Sequence, residues 1–271
     1  VYYYDHKITL AQNTNSAIDQ SSAEKAESWS FFGNLDWNPT DTIKISAGVR
    51  NIDEKKRFNT SYVLLGSIPL TPAISDRGSW NKLITRFNIQ WQATPDLLLY
   101  ANRSEGFRSG GFSIRGTLSE QSPTQTNCGV VTGCPDNNFL SYLPETNTTY
   151  EAGLKSRLLD DAITFNVAAF INDIKNFQQS QVVVTPNYGP GTNTYVASLP
   201  KVRIKGLEFE LDLDFGQLTP SLEGLKLSGT VGLQDAEVRD GRINGQTAAI
   251  GPAAHAGAPG SVADFTGVAL Q

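Results

Sequence analysis

A chain of 271 residues has room for one large all-β domain or two ordinary ones, and its composition, 39% hydrophobic and 18% charged with 24 Gly and 13 Pro, favours strands and turns over helices. The formal charge of −5, with no basic cluster along the sequence, leaves nothing to neutralise a phosphate backbone and sets nucleic-acid binding aside. No apolar run approaches the roughly 18 residues of a membrane helix, but a spanning strand needs only about 9 to 11 with one apolar face.

There is no Met, and the chain opens at Val1 inside an aromatic run, VYYYDHKI. This reads as the end of a strand in an internal piece of something longer, with a processed N-terminus as the alternative. A polar loop is expected from there to about Glu27. In the next run Trp29, Phe31, Leu35 and Trp37 share one face, and Ser28, Ser30, Asn34 and Asp36 the other, the period of two that marks a strand. Asn38-Pro39-Thr40-Asp41 turns the chain, since Pro fixes φ and Asp offers a side-chain acceptor. The return arm sets Ile43, Ile45, Ala47 and Val49 against Lys44, Ser46 and Arg50, and is expected to end in the charged stretch 53–57.

After a long connection, Leu83, Phe87, Ile89 and Trp91 alternate with Lys82, Arg86, Asn88 and Gln90 up to the turn Thr94-Pro95-Asp96. Trp80 has the opposite parity, so it requires a bulge or points to the polar side. The run LLLYANRSEGFR leads into the longest connection, residues 109–144, which holds the two cysteines, Cys128 and Cys134. A short-range disulfide between them is the favoured reading, with free thiols or a metal site as alternatives.

Residues 145–178 form the clearest hairpin. Tyr150, Ala152, Leu154 and Leu158 oppose Thr149, Glu151, Lys155 and Arg157. Asp160-Asp161 turns the chain, and Ile163, Phe165, Val167, Ala169 and Ile171 form the returning apolar face. Ser156 breaks the apolar row and Phe170 sits on the polar one. Further on, Leu207, Phe209, Leu211 and Leu213 alternate with Glu208, Glu210, Asp212 and Asp214, and after a turn at 216–224 come Leu225, Leu227, Val231 and Leu233.

The connections are short and long by turns, with charges along the polar faces and no repeat period. This predicts an all-β, antiparallel up-and-down transmembrane β-barrel, with periplasmic turns at one end and extracellular loops at the other. Trp37, Trp91 and Phe215 precede turns, where an interfacial aromatic girdle would lie, and Trp29 fits the outer girdle. A soluble sandwich or a propeller also alternates its faces and is the competing architecture.

Four stretches resemble the barrel of the TonB-dependent outer-membrane receptors: ESWSFFGNLDWNPTDTIKISAGVRNIDEKKRF, LLLYANRSEGFRSGGF, ETNTTYEAGLKSRLLDDAITFNVAAFINDIKNFQ and VRIKGLEFELD. The resemblance implies an incomplete segment of about nine strands from a larger barrel of 22. The plug domain and the final strands are expected to lie outside residues 1–271. It further implies residence in the bacterial outer membrane and import, not catalysis, of a scarce ligand such as a ferric siderophore. Its partners would be outer-membrane lipid, the plug domain of the same receptor, the TonB complex and a small-molecule metal chelate, and it calls for no cofactor.

Loop residues Arg108, Phe112, Arg115, Tyr142, Tyr188 and Tyr195 are the candidate ligand contacts, because Arg and aromatic side chains suit bulky, often anionic chelates. Loop packing is the plainer role for each. The acidic row Glu208 to Asp214 reads as wet lumen wall rather than a catalytic pair or a calcium site, since those need opposed carboxylates or a curved loop. His6 and His255 offer no nucleophile and base arrangement, and no metal site is expected. The alternatives are a secreted carbohydrate-binding or glycoside-hydrolysing β-protein, in which the odd-numbered apolar side chains face a core, and a passive outer-membrane pore or adhesin.

Overall fold

The computed structural model describes residues 1–14, 18–64, 66–69, 73–114, 141–185, 191–240, 243–244 and 262–263. Nine long strands follow one another: β1 (Tyr2–Thr14), β2 (Ile18–Thr40), β3 (Ile43–Leu64), β4 (Ile74–Thr94), β5 (Leu97–Arg108), β6 (Glu145–Leu158), β7 (Ile163–Thr185), β8 (Gly191–Asp214) and β9 (Lys226–Asp240). Each pairs antiparallel with the next in a single meander. Ile68–Pro69 adds two residues to the edge of β3, while Gly111–Phe112 pairs with Ser141–Tyr142 apart from the main sheet.

The sheet has two unlike faces because side chains alternate along every strand. Near the short turns, odd-numbered positions, and on β6 the even-numbered ones that pair with them, make one apolar face that no second sheet covers among the described residues. Trp37 is 60% exposed, Leu35 70%, Phe165 36% and Leu211 37%. Four of the side chains that a soluble sandwich would bury, Trp37, Ile45, Phe165 and Leu211, thus lack a facing layer, and a patch of this extent suits lipid rather than water. Ser156 stays satisfied on this face by donating its hydroxyl to the Phe165 carbonyl at 2.6 Å, as a hydroxyl facing hydrocarbon must.

The short turns are built as their residues dictate. Thr40 Oγ1 accepts from the Ile43 amide at 3.0 Å. Leu159, Asp160 and Asp161 all take positive φ (54°, 55° and 68°), and Arg157 pairs with Asp161 at 3.5 Å. The turn at 216–224 is tighter than its length suggests. Phe215–Leu218 is one helical turn capped by Asp214, whose Oδ1 accepts from the Gly216 amide at 3.1 Å, followed by a 3-10 turn at Pro220–Leu222.

Strand lengths depart from the sequence reading. β2 begins at Ile18, inside the stretch expected to be a polar loop, and β3 continues to Leu64, past the charged residues 53–57. β4, β7, β8 and β9 likewise extend several residues toward the long loops. The pairing of β2 with β3 runs from Ile18↔Leu64 to Trp37↔Ile45 with unbroken register, so no bulge separates the two halves. What changes is polarity. Beyond Trp29 and Asn51 the even-numbered face is buried (Ala26, Ile52, Phe58, Tyr62) and the odd-numbered one carries charge.

Candidate ligand-binding wall

The buried even-numbered face at the long-loop end of β2, β3 and β4 is covered by residues 109–114, which fold back from the end of β5. Phe112 stacks on Phe58, with ring centroids 5.2 Å apart and planes 10° apart, and Ile114 packs beside them. Polar groups pin the segment. Gln178 Nε2 donates to the carbonyls of Ser109 (2.8 Å) and Leu143 (2.9 Å), Gln20 Nε2 donates to the Ile114 carbonyl (3.1 Å), and the Val196 amide donates to Ser113 Oγ (3.0 Å). Ser109 Oγ donates to Glu54, which also pairs with Lys56 at 3.4 Å.

Trp80 completes this cluster. It projects onto the polar side, its ring over Gly78 and 5.8 Å from Lys56 Nζ. Gly110 lies against the Trp80 ring and the Tyr142 carbonyl, and Gly111 against the Tyr142 hydroxyl. A Cβ at either position would collide, so the Gly-Gly pair is what lets the segment seat so closely. Tyr142 itself is largely covered, and burial raises its phenol above the usual value, keeping it a neutral donor. Glu24 Oε2 is buried with no hydrogen-bond partner among the described residues.

The candidate residues fall in different places. Arg108 is exposed at the end of β5, in register with Glu145. Tyr142 joins the Lys56 and Trp80 cluster. Phe112, at 5% exposure, holds the packing role. Arg115, Tyr188, Cys128 and Cys134 lie outside the described residues, and of Tyr195 only the backbone, on β8, is described. Trp29, Trp37 and Trp91 stand exposed on the apolar face, and Trp29 meets Tyr3 at 4.5 Å between ring centroids. Phe215 is half-buried at the start of its helical turn.

Two expectations about the polar face are resolved by neighbours. Phe170 rests on Gly206, directly across β8, where any side chain would clash with its ring. Glu210 accepts from Asn166 at 2.8 Å, Tyr100 donates to Glu151 at 2.8 Å, and Asp214 pairs with Lys226 at 2.9 Å. These carboxylates have partners spread along a wall and do not converge on a point. Sequence reasoning missed Glu24, Glu54, Lys56 and Gln178. Their only signal was an even-numbered place in stretches where alternation had faded.

A meander with one exposed apolar face, short turns at one end and an inward-folded segment at the other is the wall of a large membrane barrel. Residues 2–266 match the family described as TonB dependent receptor-like, beta-barrel. The chain belongs to this family. Its sequence is 29% identical over 154 residues to the metal-pseudopaline receptor CntO of Pseudomonas aeruginosa, an overlap of 56% of this chain and 16% of that protein. Among solved structures it resembles the ferric yersiniabactin uptake receptor FyuA of Yersinia pestis, with a TM-score of 0.61 and 17% identity over 89% of this chain and 35% of that one. It also resembles the copper transporter OprC, with a TM-score of 0.58 and 12% identity over 87% and 38%. The chain therefore spans well under half the length of the relatives it matches. As a member it supplies barrel strands of an outer-membrane receptor of a transport family, not of an enzyme family.

Proposed function

We propose that this chain forms part of the barrel of a TonB-energised importer that takes up a metal chelate, a ferric siderophore or a similar iron complex. The observation that carries the reading is the family match across residues 2–266, joined to an outer end whose inner face gathers a cation, a half-buried aromatic and a phenol at Lys56, Trp80 and Tyr142. Relatives named for metal-pseudopaline and ferric yersiniabactin support a chelate as cargo.

In this reading the long loops, with Arg108 and Tyr142 at their base and Arg115, Tyr188 and Tyr195 further out, receive an anionic chelate. The polar face leads it past a plug domain of the same receptor that the TonB complex moves. Trp37, Trp91 and Phe215 mark the periplasmic interface and Trp29 the outer one. Among the described residues β1 and β9 form the two edges of the sheet, and in this reading further strands pair with them, because unpaired backbone groups are costly in lipid.

Deletion of the whole gene, followed by growth and radioiron uptake on defined chelates, tests this. Loss of uptake of one chelate, dependent on the TonB complex, is the expected result. Unchanged uptake of every iron chelate, with a defect on another nutrient, overturns the iron assignment, and uptake that persists without the TonB complex returns the passive pore.

A further inference from the structure

The register of β2, β3 and β4 places Lys25 directly opposite Arg57, and Arg57 directly opposite Arg77, on the odd-numbered face. Lys55 stands two positions away on the same face, opposite Glu27 and Ser79. All four cations are exposed. Like charges facing each other across a ladder destabilise a sheet unless something neutralises them.

The nearby carboxylates offset these cations only in part: Glu27, opposite Lys55, bonds Lys25 and attracts Arg57 and Lys55 from beyond ion-pair distance. Lys25 is held by Glu27 at 2.7 Å and Asp5 at 3.7 Å, and Asp76 accepts from the Arg77 amide at 2.7 Å. Asp53 lies lower, at the level of Trp29. Among the described residues no carboxylate comes within ion-pair distance of Lys55, Arg57 or Arg77. These side chains border an open cavity of 880 Å³, to which Lys56 adds a fifth cation, Asn59, Ser75 and Ser79 add neutral polar groups, and Glu27 and Asp76 add two carboxylates, so that cations outnumber anions around it.

Position identifies the occupant. The cavity is on the same face as the lipid-facing band, not on the face toward the lumen. The Lys25, Arg57 and Arg77 row stands four residues beyond Trp29 and Tyr3, which is ~13 Å along the strand. At a strand tilt near 40° that is about 10 Å above the outer aromatic belt, the depth of a lipid head group. From this geometry we infer that Lys55, Arg57 and Arg77 bind the phosphorylated head group of an outer-leaflet lipid. The paired guanidinium forks suit phosphate oxygens, and Lys25 closes the side of the site toward β2. The inference rests on the outer-membrane topology and is independent of the imported ligand.

The test uses the full-length receptor, delipidated in mild detergent and titrated with lipopolysaccharide, dephosphorylated lipopolysaccharide or inorganic phosphate. The receptor is expected to bind lipopolysaccharide. Arg57→Gln with Arg77→Gln is expected to weaken binding about thirtyfold, roughly fivefold per cation, while Arg57→Lys with Arg77→Lys stays within about fivefold of the parent. The dephosphorylated lipid should bind as poorly to the parent as the intact lipid does to the Gln variant. Folding of each variant is verified by its heat-dependent gel mobility. Equal binding by the folded Gln variant and the parent overturns the site, equal binding of the dephosphorylated lipid overturns the phosphate contact, and inorganic phosphate binding as tightly as the lipid overturns the lipid as its occupant.

Discussion

The two halves of β2 and β3 use one backbone register for opposite purposes. Between the turn at 38–41 and Trp29 the odd-numbered side chains are mostly apolar and bare, and the even-numbered ones, Phe32 apart, polar or small. Between Ser28 and Gln20, and from Ile52 to Tyr62, most even-numbered side chains are buried, Phe58 under Phe112 and Gln20 bonded to the Ile114 carbonyl, and the odd-numbered ones include Lys25, Glu27, Lys55 and Arg57. The surroundings explain the inversion. In the first half the outward face meets hydrocarbon and the inward face meets water. In the second the outward face leaves the hydrocarbon while the inward face gains a protein lid.

A single residue inserted between Asn51 and Ile52 would break this arrangement most severely. It would send Phe58 and Tyr62 outward and Lys55 and Arg57 under the lid, so loss of heat-modifiable folded receptor in the outer membrane is expected. Phe58→Ala is next, because it empties the space under Phe112. A cost of ~3 kcal/mol and fast proteolysis within residues 109–114 are expected, with the lower half intact.

The reverse experiment places charge on the band. Val49→Lys, level with Gly33 midway between Trp29 and Trp37, should cost ~2 to 4 kcal/mol near mid-membrane, measured by urea titration in lipid vesicles, whereas Ser21→Lys on the same face of the upper half should change stability by less than about 0.5 kcal/mol. Similar costs for both would mean that the apolar band extends further up the strands than the burial pattern indicates. Gln178→Ala leaves the Ser109 and Leu143 carbonyls unpaired. It should loosen the lid by ~1 to 3 kcal/mol, visible as faster amide exchange in residues 109–114.

The smallest expected effect is a pH dependence. Burial raises the Tyr142 phenol, so its contribution to the upper cluster is fully present below its ordinary value near 10 and is lost as pH rises through the raised one. Lid protection should therefore fall above about pH 10 in the parent and stay flat in Tyr142→Phe. An identical fall in both would assign the effect to another group.

Where a face meets lipid the sequence was enough, because hydrocarbon tolerates few charges and the side-chain period is two. Trp37, Ile45, Phe165 and Leu211 announced their face and Asp160-Asp161 announced its turn, while the parity of Trp80 left a bulge or a polar-side position, and the unbroken pairing of β3 with β4 decides for the second. The strand ends were not legible. Once both faces are mixed, hydrogen-bond pairing continues with no pattern to report it, so residues 18–27 looked like loop. The lid was not legible either, since Ser109-Gly110-Gly111 read only as the start of the longest connection and its anchors Gln20, Glu54 and Gln178 come from strands far apart in sequence. The same holds for charge. The sequence by itself determined the all-β class, the lipid-facing band and the family. Only the tertiary structure decided that Lys25, Arg57 and Arg77, separated by twenty residues or more along the chain, stand side by side, because strand pairing and not proximity in sequence sets which charges must share one field.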